Sequence, residues 1–599
     1  MSGLVGYIGE RNAKETILEG LKKLEYQGDS SGIAILGNGV AVYKEKGKIQ
    51  DLEQSIQAEK LTGTAGIGHT RWATRGKPNR MNAHPHQSRS GRFVLVHNGM
   101  VQNDAELKKK YLPEVKLMSE TDTEVIVQLV EYFQHQGMDV EKAFRRVLNE
   151  LQGTFSLVLV DAQDPDTLYA AKNKSPLVLG IGHGHENMVA SNTMAMIHVT
   201  NQFKDLRDKE YVILSRDAVE IKDFKGQKID RQTYTVNWDA SSTDKGNYEH
   251  FMLKEIDQQP TVLRNIIKEY RNKDGQLRAG DHLDHMHIPK RIYIVACGTS
   301  YHAGLAGKRL LEQVARIPTE VHIASEFLYG QPLIEADSLF VFISQSGETA
   351  DSVGVFNNMK QLGHPTLAVT NVEGSTLYRE ADYTLLTHAG PEMAVASTKA
   401  YTAQVAVMAI LSTYLAERQS LQTGLDVFYE LQKVSRAMET LQGLKDQAKQ
   451  IAHQFLKGGK SCFFIGRQLD HTVCLEGALK LKESSYIQAE GYAAGEFKHG
   501  PIALIEEGTP VFVLITDEST ASIMRNNIQE LDSRGANICV LAAEGISEPG
   551  DAWVLPKVHP LLTPLVTVIP LQLIAYYAAL ALGREVDKPR HLTKSVTME

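Results

Sequence analysis

From Ile292 onward the chain states one pattern twice. IYIVACGTSYHAG at Ile292 pairs with CFFIGRQLDHTVCLEG at Cys462, LFVFISQSGET at Leu339 with VFVLITDEST at Val511, and GHPTLAVTN at Gly363 with GANICVLAAEG at Gly535, at offsets of 170, 172 and 172 residues. Apolar strands align by chance, but chance does not hold one spacing across three strand–loop units, so the reading is two copies of one domain. Strands alternate with helical patterns in both copies, which predicts doubly wound parallel sheets. At 599 residues the chain is too long for one core, and two to four domains are expected.

The first part reads differently. LVGYIG (4–9), GIAIL (32–36), FVLVHNG (93–99) and TFSLVLVD (154–161) are short β-rich runs ended by Gly or Asp. Asn12-x-x-Glu15 is a capping box opening a helix with Ile17, Leu18, Leu21 and Leu24 on one face, and Thr121-x-x-Glu124 opens another. The polar stretch WDASSTDKGNYEH (238–250) marks the change of pattern, with the division near residue 245. A net charge of −8 argues against a nucleic-acid-binding surface. Four cysteines without metal-ligand spacing suit a reducing cytoplasm, and MSGLVGYIGERN lacks the basic region of a signal peptide. Leu561 to Gly583 carries no charge and is long enough to span a bilayer, but Pro564, Pro570 and Gln572 favour a buried strand leading into a core helix.

The two copies differ in their loops. After one strand the first copy has Ser344-Gln345-Ser346-Gly347-Glu348-Thr349 before a helix, where hydroxyls and backbone N–H groups make a phosphate cradle. The second has Thr516-Asp517-Glu518-Ser519-Thr520, whose two carboxylates repel a phosphate. A plain helix cap is the bland reading of the first loop; Gly298-Thr299-Ser300 at the preceding strand end favours the anion site.

SQSGETADS, ACGTSYHAG, AVASTKAYTAQ (394–404), LEGALKLKESSYIQAEGYAAGEFKHGP (475–501) and DKPRHLTKSVTME (587–599) resemble the isomerase half of the glutamine–fructose-6-phosphate aminotransferase family. HTRWAT (69–74), NAHPH (82–86), VHNG (96–99) and SETDTE (119–124) resemble its glutaminase half, so the resemblance runs end to end. It implies an N-terminal-nucleophile αββα glutaminase domain (2–217), a linker and connecting helix (218–281), a sugar-isomerase (SIS) domain (282–421) that binds sugar phosphate, a second SIS domain (451–589) and a catalytic tail (590–599). It also implies a homodimer or larger assembly, acting on fructose 6-phosphate with glutamine or ammonia. No cluster of ligands implies a metal or organic cofactor.

By resemblance Lys594 forms a Schiff base with the sugar ketone, Glu483 moves the proton between carbons, and His499, supplied by a neighbouring subunit, opens the ring. Lys480 and Lys482 flank Glu483, an arrangement that would keep it ionised and that a surface i,i+3 charge pair would equally show. Thr299, Ser300, Ser344, Gln345, Ser346, Thr349, Ser397 and Lys480 are the implied sugar-phosphate ligands. In the glutaminase half Arg71, Thr74 and Asp122 match glutamine-binding positions, Asn98 and Gly99 an oxyanion hole, and Trp72 a residue that gates ammonia passage. The bland counterparts are a surface lysine at 594, a structural histidine at 499, a helix first-turn aspartate at 122 and a core tryptophan at 72.

The nucleophile position departs from the pattern. The family cysteine is Ser2 here, exposed as an N-terminus only after Met1 is removed. A hydroxyl ionises far less readily than a thiol, whose pKa is about 8.5. YQGDSSG (26–32) stands where the family has YRGYDSAG, so Gln27 replaces an arginine and a tyrosine is missing, and Arg75 replaces a histidine. Ser2 alone fits a substitution that traps glutamine; with the other changes it points to natural divergence. The pocket is expected to bind glutamine and to cut it poorly. The leading reading is glucosamine 6-phosphate formation from fructose 6-phosphate. A phosphosugar isomerase with an inert glutaminase domain and a non-catalytic paralogue are the alternatives.

Overall fold

A computed structural model describes residues 2–24, 28–37, 39–59, 61–73, 75–236, 244–278, 283, 285–330 and 332–596. The chain folds as two compact units, Met1–Ser242 and Thr243–Ser595.

In the first unit strand alternation sorts side chains into layers. Gly3–Ile8 lies in an eight-stranded antiparallel sheet between Asn187–Ala190 and Ala65–Arg71. Its Val5 and Tyr7 face the helix Ala13–Leu24, while Leu4 and Ile8 face the other way. They meet Val94, Val96, Val158 and Val160 of a seven-stranded antiparallel sheet. The opposite parity of that sheet, Phe93, Leu95, Leu157 and Leu159, packs under the helices Asp122–His135 and Val140–Glu150. Period-2 alternation in both sheets thus yields the αββα sandwich that the family resemblance implies.

Asn12 caps the first helix, accepting from Lys14 N at 3.0 Å and Glu15 N at 3.4 Å. The second capping box does not form. Helix Asp122–His135 starts where expected, but Thr121 Oγ1 pairs with His86 Nε2 at 3.0 Å, and Glu124 accepts from Met118 N and Ser119 N at 2.8 and 2.6 Å. A buried histidine competes for the hydroxyl and wins.

The second unit carries the repeat as two five-stranded, fully parallel sheets. One runs Thr319–Ile323, Arg291–Ala296, Ser338–Ser344, Thr366–Thr370, Tyr383–Leu386. The other runs Ala489–Ala493, Cys462–Gly466, Pro510–Ile515, Asn537–Ala543, Trp553–Leu555. Both have strand order 2-1-3-4-5, which opens a crevice where the order reverses, outside the carboxyl ends of the first and third strands. The uncharged run near the C-terminus corrects one expectation. It holds no strand: a short turn at Pro560–Leu562 leads into helix Thr563–Ala581. Pro564 sits in the first turn, where its missing N–H costs nothing, and 16 of the 19 helix residues are buried. The run is a core helix of this unit, long and apolar enough to cross a membrane by composition yet 83% buried over its most apolar window.

Candidate active site

The crevice of the first copy gathers hydroxyls because two strands end there. Strand Ser338–Ser344 runs into a turn in which Gly347 has φ +65°, and a Cβ on it would lie 2.0 Å from Ser375 Oγ, so only glycine fits. The turn folds Ser344 Oγ back to accept from Gly347 N at 3.0 Å and to meet Thr349 Oγ1 at 2.9 Å, while Ser346 Oγ accepts from Glu348 N at 3.2 Å. Thr349 occupies the N-cap of helix Ala350–Gln361 without a side-chain bond to the helix amides. The positive helix end is left for an anion.

The C-terminal tail closes on this turn. Ser595 Oγ meets Ser346 Oγ at 2.9 Å, and the adjacent Lys594 sends its Nζ to Ser397 Oγ at 3.1 Å and into direct contact with the Glu392 carboxylate. The Lys594 side chain is only 6% exposed and that of Glu392 is fully buried. Glu392 Oε1 accepts from Thr398 N at 2.9 Å and Ala400 N at 3.0 Å. Burial raises the Glu392 carboxyl, but the Lys594 charge and these amides outweigh it and hold it below the ordinary range. Beside it Glu255, accepting from Ala394 N at 3.2 Å, is pushed up to about 8 by burial and by the neighbouring Glu392.

A second polar cluster bridges the two copies. Lys480 Nζ reaches Glu483 Oε2 at 2.5 Å, Thr299 Oγ1 at 3.1 Å and Glu476 Oε1 at 3.6 Å. Glu476 is completed by Thr299 Oγ1 at 3.1 Å and His302 Nδ1 at 2.8 Å. Burial pulls the Lys480 ammonium down, but Glu483 and Glu476 outweigh it and raise it, with a further contribution from Glu392.

In the first unit Ser2 opens the strand Gly3–Ile8. Its Oγ accepts from Trp72 N at 3.0 Å and its carbonyl from Asn98 Nδ2 at 3.0 Å. His69 Nε2 lies 2.7 Å from Asn98 Oδ1 and 3.0 Å from His97 O. Both are acceptors, so this nitrogen carries the proton and fixes the amide with Nδ2 toward Ser2. Burial drives His69 down to about 3 and lowers His84, His86 and His97, leaving four neutral imidazoles behind Ser2. Gly99 has φ +136°, and a Cβ there would strike Thr154 O at 2.1 Å. Arg71 Nη2 is held by the carbonyls of Arg75 and Gly76, while its buried Nη1 has no hydrogen-bond partner among the described residues. Asp122 Oδ2 accepts from Val101 N at 2.7 Å.

Matches to known proteins cover both units. The SIS domain family matches residues 285–414 and 455–582, and the glutamine amidotransferase domain family matches 69–198. The glutamine–fructose-6-phosphate aminotransferase (isomerizing) of Halalkalibacterium halodurans is 56% identical over 100% of both chains, and that of Bacillus licheniformis is 55% identical over the same span. The chain belongs to the glutamine–fructose-6-phosphate aminotransferase family. A solved C-terminal domain of glucosamine-fructose-6-phosphate aminotransferase from Francisella tularensis, 36% identical, superposes with a TM-score of 0.55 over 58% of this chain and 100% of that one.

For this family member the sequence-predicted residues fall into distinct groups. Ser344, Ser346 and Thr349 line the turn, Gln345 lends its carbonyl to Asn371 N at 3.1 Å, and Ser397 joins Lys594. Ser300 Oγ accepts from Gln404 Nε2 at 3.0 Å. Lys480 departs from its expected place as a phosphate ligand: fully buried, its ammonium is taken by Glu483, Glu476 and Thr299. Lys482 turns away from Glu483 toward Glu490 at 3.5 Å. His499 is exposed on the short turn Glu496–His499 and bonds to none of these groups. Arg75 pairs with Asp104 at 2.7 Å, and Thr74 and Gln27 lie outside the described residues. Sequence reasoning passed over Glu392, Glu476 and Glu255. The first two carry a faint signal, each a lone carboxylate in an apolar run (GPEMAVA, CLEGALK). A charge placed where a strand-and-helix domain should be dry needs a reason.

Proposed function

We propose that the chain converts fructose 6-phosphate to glucosamine 6-phosphate with the crevice of the first copy as its synthase site. The Ser344–Thr349 turn and the uncapped helix behind it take the phosphate. Lys594 takes the C2 ketone as a Schiff base, and Glu483, paired with Lys480, carries the proton between C1 and C2. The observation that carries this reading is the contact of Ser595 with Ser346, because it brings a lysine from the chain end to a phosphate-shaped turn. The full-length relatives favour this activity over the isomerase-only and non-catalytic alternatives.

Arg71, whose buried Nη1 lacks a hydrogen-bond partner among the described residues, takes the glutamine carboxylate, Asp122 the α-amino group, and Asn98 with Gly99 the oxyanion. Trp72, bonded to Ser2, gates ammonia. Ser2 is the weak point, a hydroxyl where the relatives' reaction calls for a far more acidic thiol. The exposure of His499 supports a dimer in which it serves the partner's site, and four free cysteines support a reducing cytoplasm.

The test supplies fructose 6-phosphate with glutamine and, separately, with ammonium salt. Glucosamine 6-phosphate from ammonium is expected, with a slower glutamine reaction that Ser2→Cys raises by about 100-fold. Glucose 6-phosphate alone, or no turnover with ammonium, overturns the reading. No gain from Ser2→Cys shifts the defect to Gln27 and Arg75.

A further inference from the structure

A protonated lysine has no lone pair, so an amine that attacks a ketone must first give up a proton. Lys594 Nζ contacts only two side-chain oxygens among the described residues, Ser397 Oγ and the Glu392 carboxylate. Serine is far too weak a base to hold that proton. Glu392 is differently built. Its Oε1 is committed to the amides of Thr398 and Ala400 at the head of helix Lys399–Arg418, which leaves Oε2 alone on the lysine. The loop that carries it is fixed from behind, where Glu255 on helix Phe251–Tyr270 accepts from Met393 N and Ala394 N. Lys399, a second cation close to Glu392, is turned to Gln258 Oε1 at 2.9 Å.

We infer that Glu392 is the proton acceptor and donor for Lys594, a second catalytic carboxylate beside Glu483, with Glu255 as its positioning residue. This rests on the Schiff-base reading above. Oε2 takes one proton from the ammonium, and the freed lone pair of Nζ forms a bond to C2 as the carbonyl π pair moves to oxygen. Glu392 then gives its proton to that alkoxide and takes one from the cationic nitrogen, leaving a neutral carbinolamine. Returned to the hydroxyl, the same proton breaks the C2–O bond, water leaves, and the nitrogen pair closes the iminium. Ammonium plus ketone has become iminium plus water, charge is unchanged, and Glu392 ends ionised as it began. Glu483 stays free for the C1–C2 transfer, so the two carboxylates divide the proton traffic.

The experiment traps the adduct of fructose 6-phosphate with borohydride in the full-length enzyme and locates it by mass spectrometry. Unsubstituted enzyme is expected to be reduced at Lys594. Failure there sinks the Schiff-base reading itself and is distinguishable from failure of this proposal. Glu392→Gln keeps an oxygen for the Thr398 and Ala400 amides, and its trapping rate should fall roughly 10²–10⁴-fold with the KM for fructose 6-phosphate little changed. Its rate should then climb about tenfold per pH unit as solvent deprotonates the lysine, which a merely structural defect would not produce. Should Glu392→Gln fail to fold, Glu392→Asp, which retains a carboxylate, should show the same pH-dependent deficit in milder form. Trapping by a folded Glu392→Gln at the unsubstituted rate, or a deficit flat with pH, overturns the assignment.

Discussion

The two sheets of the second unit share strand number, strand order and crevice, yet only one keeps the crevice open. In the first copy Ser344 ends the third strand, Ser300 lies in the first turn of helix Gly298–Gln313 just after the first strand, and the helix after Ser344 has no side-chain cap. At the repeat offsets the second copy has Asp470 and Thr516. Asp470 accepts from Thr516 N at 2.8 Å and Thr516 Oγ1 at 2.6 Å, and Asp517 caps its own helix by accepting from Ser519 N at 2.9 Å. The donors that would meet a phosphate are already satisfied by built-in carboxylates. The helix-cap reading weighed against the anion site therefore describes the second copy, while the first leaves the position vacant. A duplicated fold keeps its core and loses its site by filling it from within.

Transplanting that filling should have the largest effect. Ser300→Asp places a carboxylate at the position that Asp470 holds in the second copy, so the crevice should fill from within and repel the sugar phosphate. Like charges brought together cost several kcal/mol, and the KM for fructose 6-phosphate should rise roughly 100-fold or more in the ammonium-dependent assay. An unchanged KM would mean that the serine-to-aspartate exchange is not what separates the copies.

Much of this contrast could be read from the sequence because repeats report on buried faces. The offsets across Ile292–Cys462 and Leu339–Val511 located both sheets, whereas the sandwich of the first unit was implied by the family resemblance and not by any local pattern. The apolar run at 561–583 misled because uncharged stretches look alike as strand or helix until length decides. Side-chain partners were least legible. Nothing local says that Thr121 prefers His86 to its own helix, or that Lys480 spends its charge on two carboxylates rather than a ligand, since each partner comes from far along the chain. Glu392 lies 202 residues from Lys594, and no spacing rule joins them.

The built-in carboxylate should also leave a trace in the pH dependence of stability. Burial pushes Asp470 up from 3.8 to about 6, against the pull of the two Thr516 bonds. A carboxyl held above its unfolded value binds its proton more tightly when folded, so its stabilising effect is full below about pH 4. It is lost as pH rises through about 6, a change on the order of 2–3 kcal/mol. Asp470→Asn should remove this slope, measured by denaturant unfolding of the second unit at pH 4.5 and 7.5. An identical slope in the variant would show that burial does not raise the Asp470 carboxyl above its unfolded value.

The smallest effect separates filling from repulsion. Asp517→Ala removes the cap of helix Glu518–Asp532, and such losses cost about 1 kcal/mol. Asp517 also raises Asp470 through its charge, so its removal relieves part of that repulsion, and the net loss near neutral pH should fall short of the usual cap value. At pH 4.5, where Asp470 holds its proton, the relief disappears and the full cap loss should emerge. The KM for fructose 6-phosphate should not move, because Asp470 still occupies the donors of Thr516. If Asp517→Ala instead gives the chain a second equivalent of bound sugar phosphate, charge repulsion alone was holding the second crevice shut, and the two copies differ by far less than their bonding implies.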